Sequence, residues 1–157
     1  LQLGVLADIA DVFYIGGTKQ GALFGEALVI CNPALRKNFR YFIKQNGGML
    51  AKGRLLGIQF ETLFTDDLYF ELSSSAVSKA LKIREAFKKA GFRMIVDSPT
   101  NQQFPILPQA VLDRLGEKFG FEYWQDMGGG LSAVRFCTSW ATTEEAVAAL
   151  VNAISEL

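Results

Sequence analysis

Strands and helices that alternate along most of the chain predict an α/β protein, and three observations carry that reading. Two β-forming runs, Val12 to Ile15 and Ala22 to Cys31, lie close together with glycines between them. A long stretch of helical period follows, up to Gly91. From Phe92 onward, short strand patterns alternate with capped helices, as expected of a small α+β unit whose helices cover one face of a sheet. These patterns divide the chain into residues 1–65 and residues 66–157.

Each element has a local cause. Val12 to Ile15 reads as a buried strand, Ala22 to Cys31 as its neighbour, and a tight loop carrying Lys19 as the link between them. Asn32-Pro33 is a helix start, with Asn as the cap and Pro at the first helical position, and the helix is predicted to run to about Gln45 and stop at Gly47-Gly48. Leu55, Leu56, Gln59, Phe60 and Leu63 have the three-and-four spacing of a helix over about 50–64. Thr65-Asp66 is read as the cap of a longer helix ending before Gly91, with Lys88 and Lys89 opposing the dipole in its last turn. Ser73, Ser74 and Ser75 are poor mid-helix residues unless they face water. Phe92 to Val96 and Phe104 to Leu107 are predicted strands, Pro108 opens a helix to about Lys118, and two strands, Phe121 to Gln125 and Leu131 to Thr138, flank Gly128-Gly129-Gly130. Thr142 with Glu145 has the spacing of a capping box for a last helix to about Ser155.

Bulk properties narrow the function classes. The 157 residues are 50% hydrophobic and carry 16 basic against 16 acidic residues, so the chain is a folded protein without a basic stripe for nucleic acid. No apolar run reaches the roughly 18 residues that span a bilayer, and nothing at the start has the form of a signal peptide. Cys31 and Cys137 lie in apolar runs and read as reduced core residues, which fits a cytoplasmic location. The absence of histidine excludes a histidine triad or a histidine metal site within these residues, so no metal is expected.

The chemistry concentrates at Gly16-Gly17-Thr18-Lys19-Gln20-Gly21. A lysine held between two core strands loses solvation, and its amine becomes available to attack a carbonyl, as a Schiff-base lysine requires. Glycines beside it let a bulky cofactor approach the backbone, and Thr18 can bond a phosphate oxygen. The same residues also suit an ordinary surface turn. They do not form a nucleotide-binding P-loop, whose glycine and lysine spacing is absent. Arg135 is the one cation in the apolar run from Leu131 to Phe136, and its planar fork suits a carboxylate, either a substrate's or that of a core Asp or Glu. Lys44 and Lys52 flank Gly47-Gly48, where basic side chains can reach a phosphate or simply face water, and Arg54 is a weaker candidate of the same kind. Phe13, Tyr14, Phe39, Tyr41 and Phe42 read as core or as a dimer interface.

Lys19 with Gly25-Glu26-Ala27-Leu28-Val29-Ile30, then Lys44-Gln45-Asn46-Gly47-Gly48-Met49-Leu50, then Val134-Arg135-Phe136-Cys137-Thr138-Ser139-Trp140 before Thr142-Thr143-Glu144-Glu145, resembles the low-specificity L-threonine aldolases. These are fold-type-I enzymes dependent on pyridoxal phosphate (PLP). The resemblance runs in order over nearly the whole chain and implies the C-terminal part of that transferase-like fold: the end of the large-domain sheet, then a small α+β domain. It implies that Lys19 binds pyridoxal 5'-phosphate, with Gly17, Thr18, Lys44 and Lys52 near the cofactor, and that Arg135 binds the substrate carboxylate. It implies cleavage of L-threonine or L-allo-threonine to glycine and acetaldehyde through an external aldimine, in a homodimer or homotetramer. The family's phosphate loop, stacking histidine, pyridine-pairing Asp and catalytic base are expected in an N-terminal half that these residues do not match. Two other readings remain at this point: a β-eliminating lyase of the tryptophanase kind, which would use Lys19 and Arg135 equally well, and a module that folds without holding cofactor.

Overall fold

One short helix and then a β-hairpin begin the described residues. In the computed structural model, which describes residues 3–157, α1 spans Leu3–Ile9 and the hairpin strands are β1, Val12–Gly16, and β2, Glu26–Ile30. The strands pair antiparallel, with Val12 opposite Ile30 and Gly16 opposite Glu26. The second strand is shorter than the apolar run that predicts it, because Ala22 to Gly25 belong to the connecting loop. Neither strand is buried as expected: Val12, Tyr14 and Leu28 are exposed.

The helix predicted from Pro33 to Gln45 is broken. A single 3-10 turn covers Pro33–Leu35, and α2 begins only at Phe39 and runs to Gln45. Asn32 does cap the turn, accepting from the Ala34 amide at 2.9 Å. Asn38 then takes a left-handed conformation, φ 59, which no continuous helix tolerates. Next come α3, Arg54–Phe64, and α4, Leu68–Lys89. Thr65 does not cap α4; its hydroxyl donates back to the Glu61 carbonyl, and Asp66 and Asp67 turn the chain with positive φ.

Two units partition the chain, Leu1–Tyr69 and Phe70–Leu157. The second holds β3, Gln102–Gln103, β4, Ile106–Pro108, α5, Gln109–Gly116, β5, Glu122–Gly128, β6, Leu131–Cys137, and α6, Glu144–Ser155. Strand β6 is the organising element: β5 pairs along one side of it, β3 and β4 along the other, all antiparallel. Its alternation sends Val134 and Phe136 into the core, where they meet Ile83 and Phe87 of α4, Leu112 and Leu115 of α5, and Val147, Leu150 and Ile154 of α6. Burying each such side chain contributes about 1.5–3 kcal/mol. The opposite alternation puts Arg135 and Cys137 on the other face; Cys137 is exposed and Cys31 half-buried, so neither is the core thiol expected.

The end of α4 is set by Gly91, whose φ of 87 lets the Phe92 amide reach back to the Phe87 carbonyl and the Gly91 amide to that of Lys88. The Phe87 and Phe92 rings pack edge to face over this stop. Lys88 pairs with Asp97, and that hydrogen bond, with the Lys88 charge, holds the Asp97 carboxyl below its ordinary value. Ser74 and Ser75 sit exposed on α4 without interrupting it.

Phe92 to Val96 is not a strand. It makes one isolated bridge, Met94 with Pro105, closed by the Ile106 amide on the Arg93 carbonyl and the Ile95 amide on the Phe104 carbonyl, and the pairing ends where the chain bends at Ile95 and Val96. The cap of α6 is Thr143 rather than Thr142: its hydroxyl accepts from the Ala146 amide at 3.1 Å, while the Thr142 hydroxyl is taken by the Ser139 amide. Thr143→Ala is therefore expected to lower stability by about 1 kcal/mol, with Thr142→Ala disturbing only the preceding turn. Urea unfolding of the two variants measures the difference.

Candidate active site

Lys19 lies in the loop between β1 and β2, on a 3-10 turn of Thr18–Gln20. The turn is enclosed by backbone bonds, with the Gln20 and Ala22 amides both donating to the Gly17 carbonyl, and it is ended by Gly21 in the left-handed region, φ 102. Two helices hold the loop. From α3, Gln59 accepts from the Leu23 amide at 2.6 Å and donates to the Phe24 carbonyl. From α4, the Tyr69 hydroxyl donates to the Gly16 carbonyl at 2.9 Å, with its ring stacked on Phe64 at 5.0 Å. Burial pushes the Tyr69 phenol above its ordinary value, so it stays a donor across neutral pH.

Gly17 is buried, and a Cβ there would fall 2.7 Å from that of Ala22 and 3.2 Å from the Phe60 ring. Its bare face is thus filled by the protein itself, not left for a cofactor as the glycine pattern suggests. Gly16 meets nothing within 4 Å and leaves open space beside the turn. Lys19 is exposed, not buried between core strands. The hairpin has no third strand among the described residues to cover it. Its amine has no hydrogen bond or ion pair among the described residues, and Thr18 beside it is exposed too.

The basic residues around Gly47-Gly48 divide. Lys44, in the last turn of α2, and Lys52, in the turn before α3, are exposed. A recess of about 520 Å³ in the same unit is lined instead by Arg40, Gly48, Gly53, Arg54 and neighbouring apolar side chains. Arg40 was not legible as a site residue, since one cation on a short helix carries no signal of what it faces.

Arg135 stands in the second unit, half-buried on β6. Its Nη1 donates to Gln102 Oε1 at 3.2 Å, and its guanidinium carbon lies 5.8 Å from the centre of the Trp124 ring. Its Nε is buried without a hydrogen-bond partner. Glu122 is opposite Arg135 in the β5–β6 register, yet no carboxylate pairs with Arg135 among the described residues. The alternative of a structural ion pair with a core Asp or Glu is therefore not what holds this guanidinium. A buried N–H left unpaired costs roughly 1–3 kcal/mol, a deficit that a bound carboxylate would remove.

No protein-family model matches the chain. Two curated relatives, low-specificity L-threonine aldolases from Pseudomonas aeruginosa and from a Pseudomonas species (strain NCIMB 10558), are each 29% identical, over 145 and 138 residues. These alignments take in 92% and 87% of this chain but 41% and 39% of the relatives. A solved structure of Leishmania major threonine aldolase superposes with a TM-score of 0.96 at 41% identity over 99% of this chain and 46% of that one. The chain is a homologue of the low-specificity L-threonine aldolases. It spans under half the length of the threonine aldolases it matches. Its fold is also that of part of Sphingomonas wittichii serine palmitoyltransferase, with a TM-score of 0.64 at 12% identity over 98% of this chain and 40% of that one. Among the described residues, no helix is long and apolar enough to cross a membrane.

The residues present fit PLP at the points where they can be tested. Lys19 offers an unpartnered primary amine for its aldehyde, and Thr18 a neighbouring hydroxyl, beside the open space at Gly16. Sequence reasoning singled out Lys19 and Arg135 as candidates and gave no sign of the side chains around them: Gln59 and Tyr69 on the loop of the first, Gln102 and Trp124 on the guanidinium of the second.

Proposed function

We propose that this chain serves a PLP-dependent carbon–carbon lyase that cleaves L-threonine or L-allo-threonine to glycine and acetaldehyde. The observation that carries the reading is the likeness to a threonine aldolase over 99% of the chain at 41% identity, with Lys19 free in its turn. PLP, when bound, supplies an electron sink for the pair released as the substrate Cα–Cβ bond breaks. Lys19 would hold the cofactor through its Nζ, and once displaced by the substrate amine its own amine would be the group that moves a proton to the Cα of the product. Thr18 would offer its hydroxyl to the cofactor. Arg135 grips the substrate carboxylate with its fork and so fixes the rotation about the bond to Cα, a contribution of positioning. The recess at Arg40 and Arg54 supports an anion-holding role for that region more than Lys44 or Lys52 does. Exposed Tyr14, Tyr41 and Phe42 support assembly as a homodimer or homotetramer.

Incubation of the full-length protein with PLP and each stereoisomer of threonine tests the reading. Glycine and acetaldehyde should form in equal amounts from the L-isomers. Release of ammonia and a keto acid instead would identify a β-eliminating lyase, and no turnover with cofactor bound would overturn the assignment.

A further inference from the structure

We propose that Gln102 and Trp124 are positioning residues that hold the Arg135 guanidinium by uncharged contacts and so keep its full positive charge for an incoming carboxylate. The inference rests on the assignment of Arg135 to the substrate carboxylate.

Three features of the second unit carry it. First, Trp124 is the extra residue of a β-bulge. Along β5, Glu122 pairs with Arg135 and Tyr123 with Val134, but Gln125, not Trp124, pairs with Ala133. An inserted residue re-aims its side chain away from the regular pleat. Here the indole is turned towards the guanidinium, whose central carbon is 5.8 Å from the ring centre, within the range of a cation–π contact. Phe104 packs its ring against the indole at 5.0 Å, close to edge-on, and fixes that orientation. Second, the opposite neighbour of β6 supplies the other hold. Gln102 on β3 accepts the Nη1 hydrogen bond, so Arg135 is gripped from the strands on both sides of its own. Third, both holds are neutral. A carboxylate at position 102 would fix the same geometry but cancel the charge. A glutamine fixes the geometry and leaves it, together with a buried Nε that has no partner.

The test uses the full-length, PLP-loaded protein and four variants: Gln102→Glu, Trp124→Leu, Trp124→Phe and Arg135→Lys. Gln102→Glu is isosteric and supplies an internal counter-charge that competes with substrate. It should raise KM for L-threonine by at least about tenfold while changing kcat less. Trp124→Leu removes the ring face and should raise KM by roughly two- to tenfold, and Trp124→Phe should restore most of the loss. Trp124 is half exposed, so these variants are expected to fold. A second measurement does not depend on turnover. The Nε–H resonance of Arg135 in nitrogen-15 spectra, identified by its loss in Arg135→Lys, should shift on titration with glycine. The shift should saturate at higher glycine in Gln102→Glu and Trp124→Leu. Unchanged KM and an unchanged glycine titration in both variants, with KM raised in Arg135→Lys, would overturn the positioning roles and leave the carboxylate assignment standing. Unchanged KM in Arg135→Lys would overturn both.

Discussion

Lys19→Ala is expected to abolish the visible absorbance of the lysine-bound cofactor and to reduce turnover of threonine on the order of 10³-fold or more. The turn explains why nothing nearby would replace it. Lys19 alone on the Thr18–Gln20 turn carries an amine, and the loop around it is fixed by Gln59 and Tyr69 whatever side chain stands at position 19. The variant should therefore fold normally and lose chemistry only. Borohydride reduction of the wild-type protein, followed by peptide mapping, checks the assignment directly. The label should fall on the Lys19 peptide, with Lys44→Ala and Lys52→Ala labelling as well as wild type. Label on any other lysine would move the site.

Arg135→Lys is the second large effect. It keeps the charge and loses the planar fork, which removes one charge-assisted contact worth about 2–3 kcal/mol. That corresponds to roughly a 30- to 150-fold lower kcat/KM for threonine. Cofactor absorbance should be retained, because the loss falls on the substrate. Stability should change little, since Arg135 makes no ion pair among the described residues and gives up only its bond to Gln102 and its contact with the half-exposed Trp124 ring. Steady-state kinetics with a spectrum of the bound cofactor separates these outcomes, and an unchanged kcat/KM would show that the carboxylate is held elsewhere.

The elements legible in the sequence are those fixed by local periodicity. Strand β6 was visible as an apolar run, α4 and α6 as helical runs, and the stop of α4 as a glycine at position 91. The misses share a cause: a side chain or backbone group was engaged by a partner that spacing does not reveal. Thr142 fitted a capping box, but the Ser139 amide uses its hydroxyl, and the cap moved one residue. Phe92 to Val96 had strand composition, but the chain bends at Ile95 and Val96 after a single bridge. Asn38 broke a helix that Asn32-Pro33 began correctly. For the candidate site, Lys19 stood out between glycines and Arg135 as a cation in an apolar run. Their supports did not, because a glutamine and a tryptophan in a strand look ordinary. The bulge that aims Trp124 exists only in the pairing of β5 with β6.

The loop at Lys19 joins a clamped main chain to an untethered tip. Its backbone is held at Gly16, Gly17, Leu23 and Phe24, while the lysine amine is bound to nothing among the described residues. Motion there should split into two timescales. The methylene chain reorients in picoseconds to nanoseconds, whereas the peptide units carrying it open only when Gln59 of α3 and Tyr69 let go of the loop backbone. A lysine that must release one bond and find the next needs a stationary pivot more than a rigid arm. The fold places its restraint in the pivot.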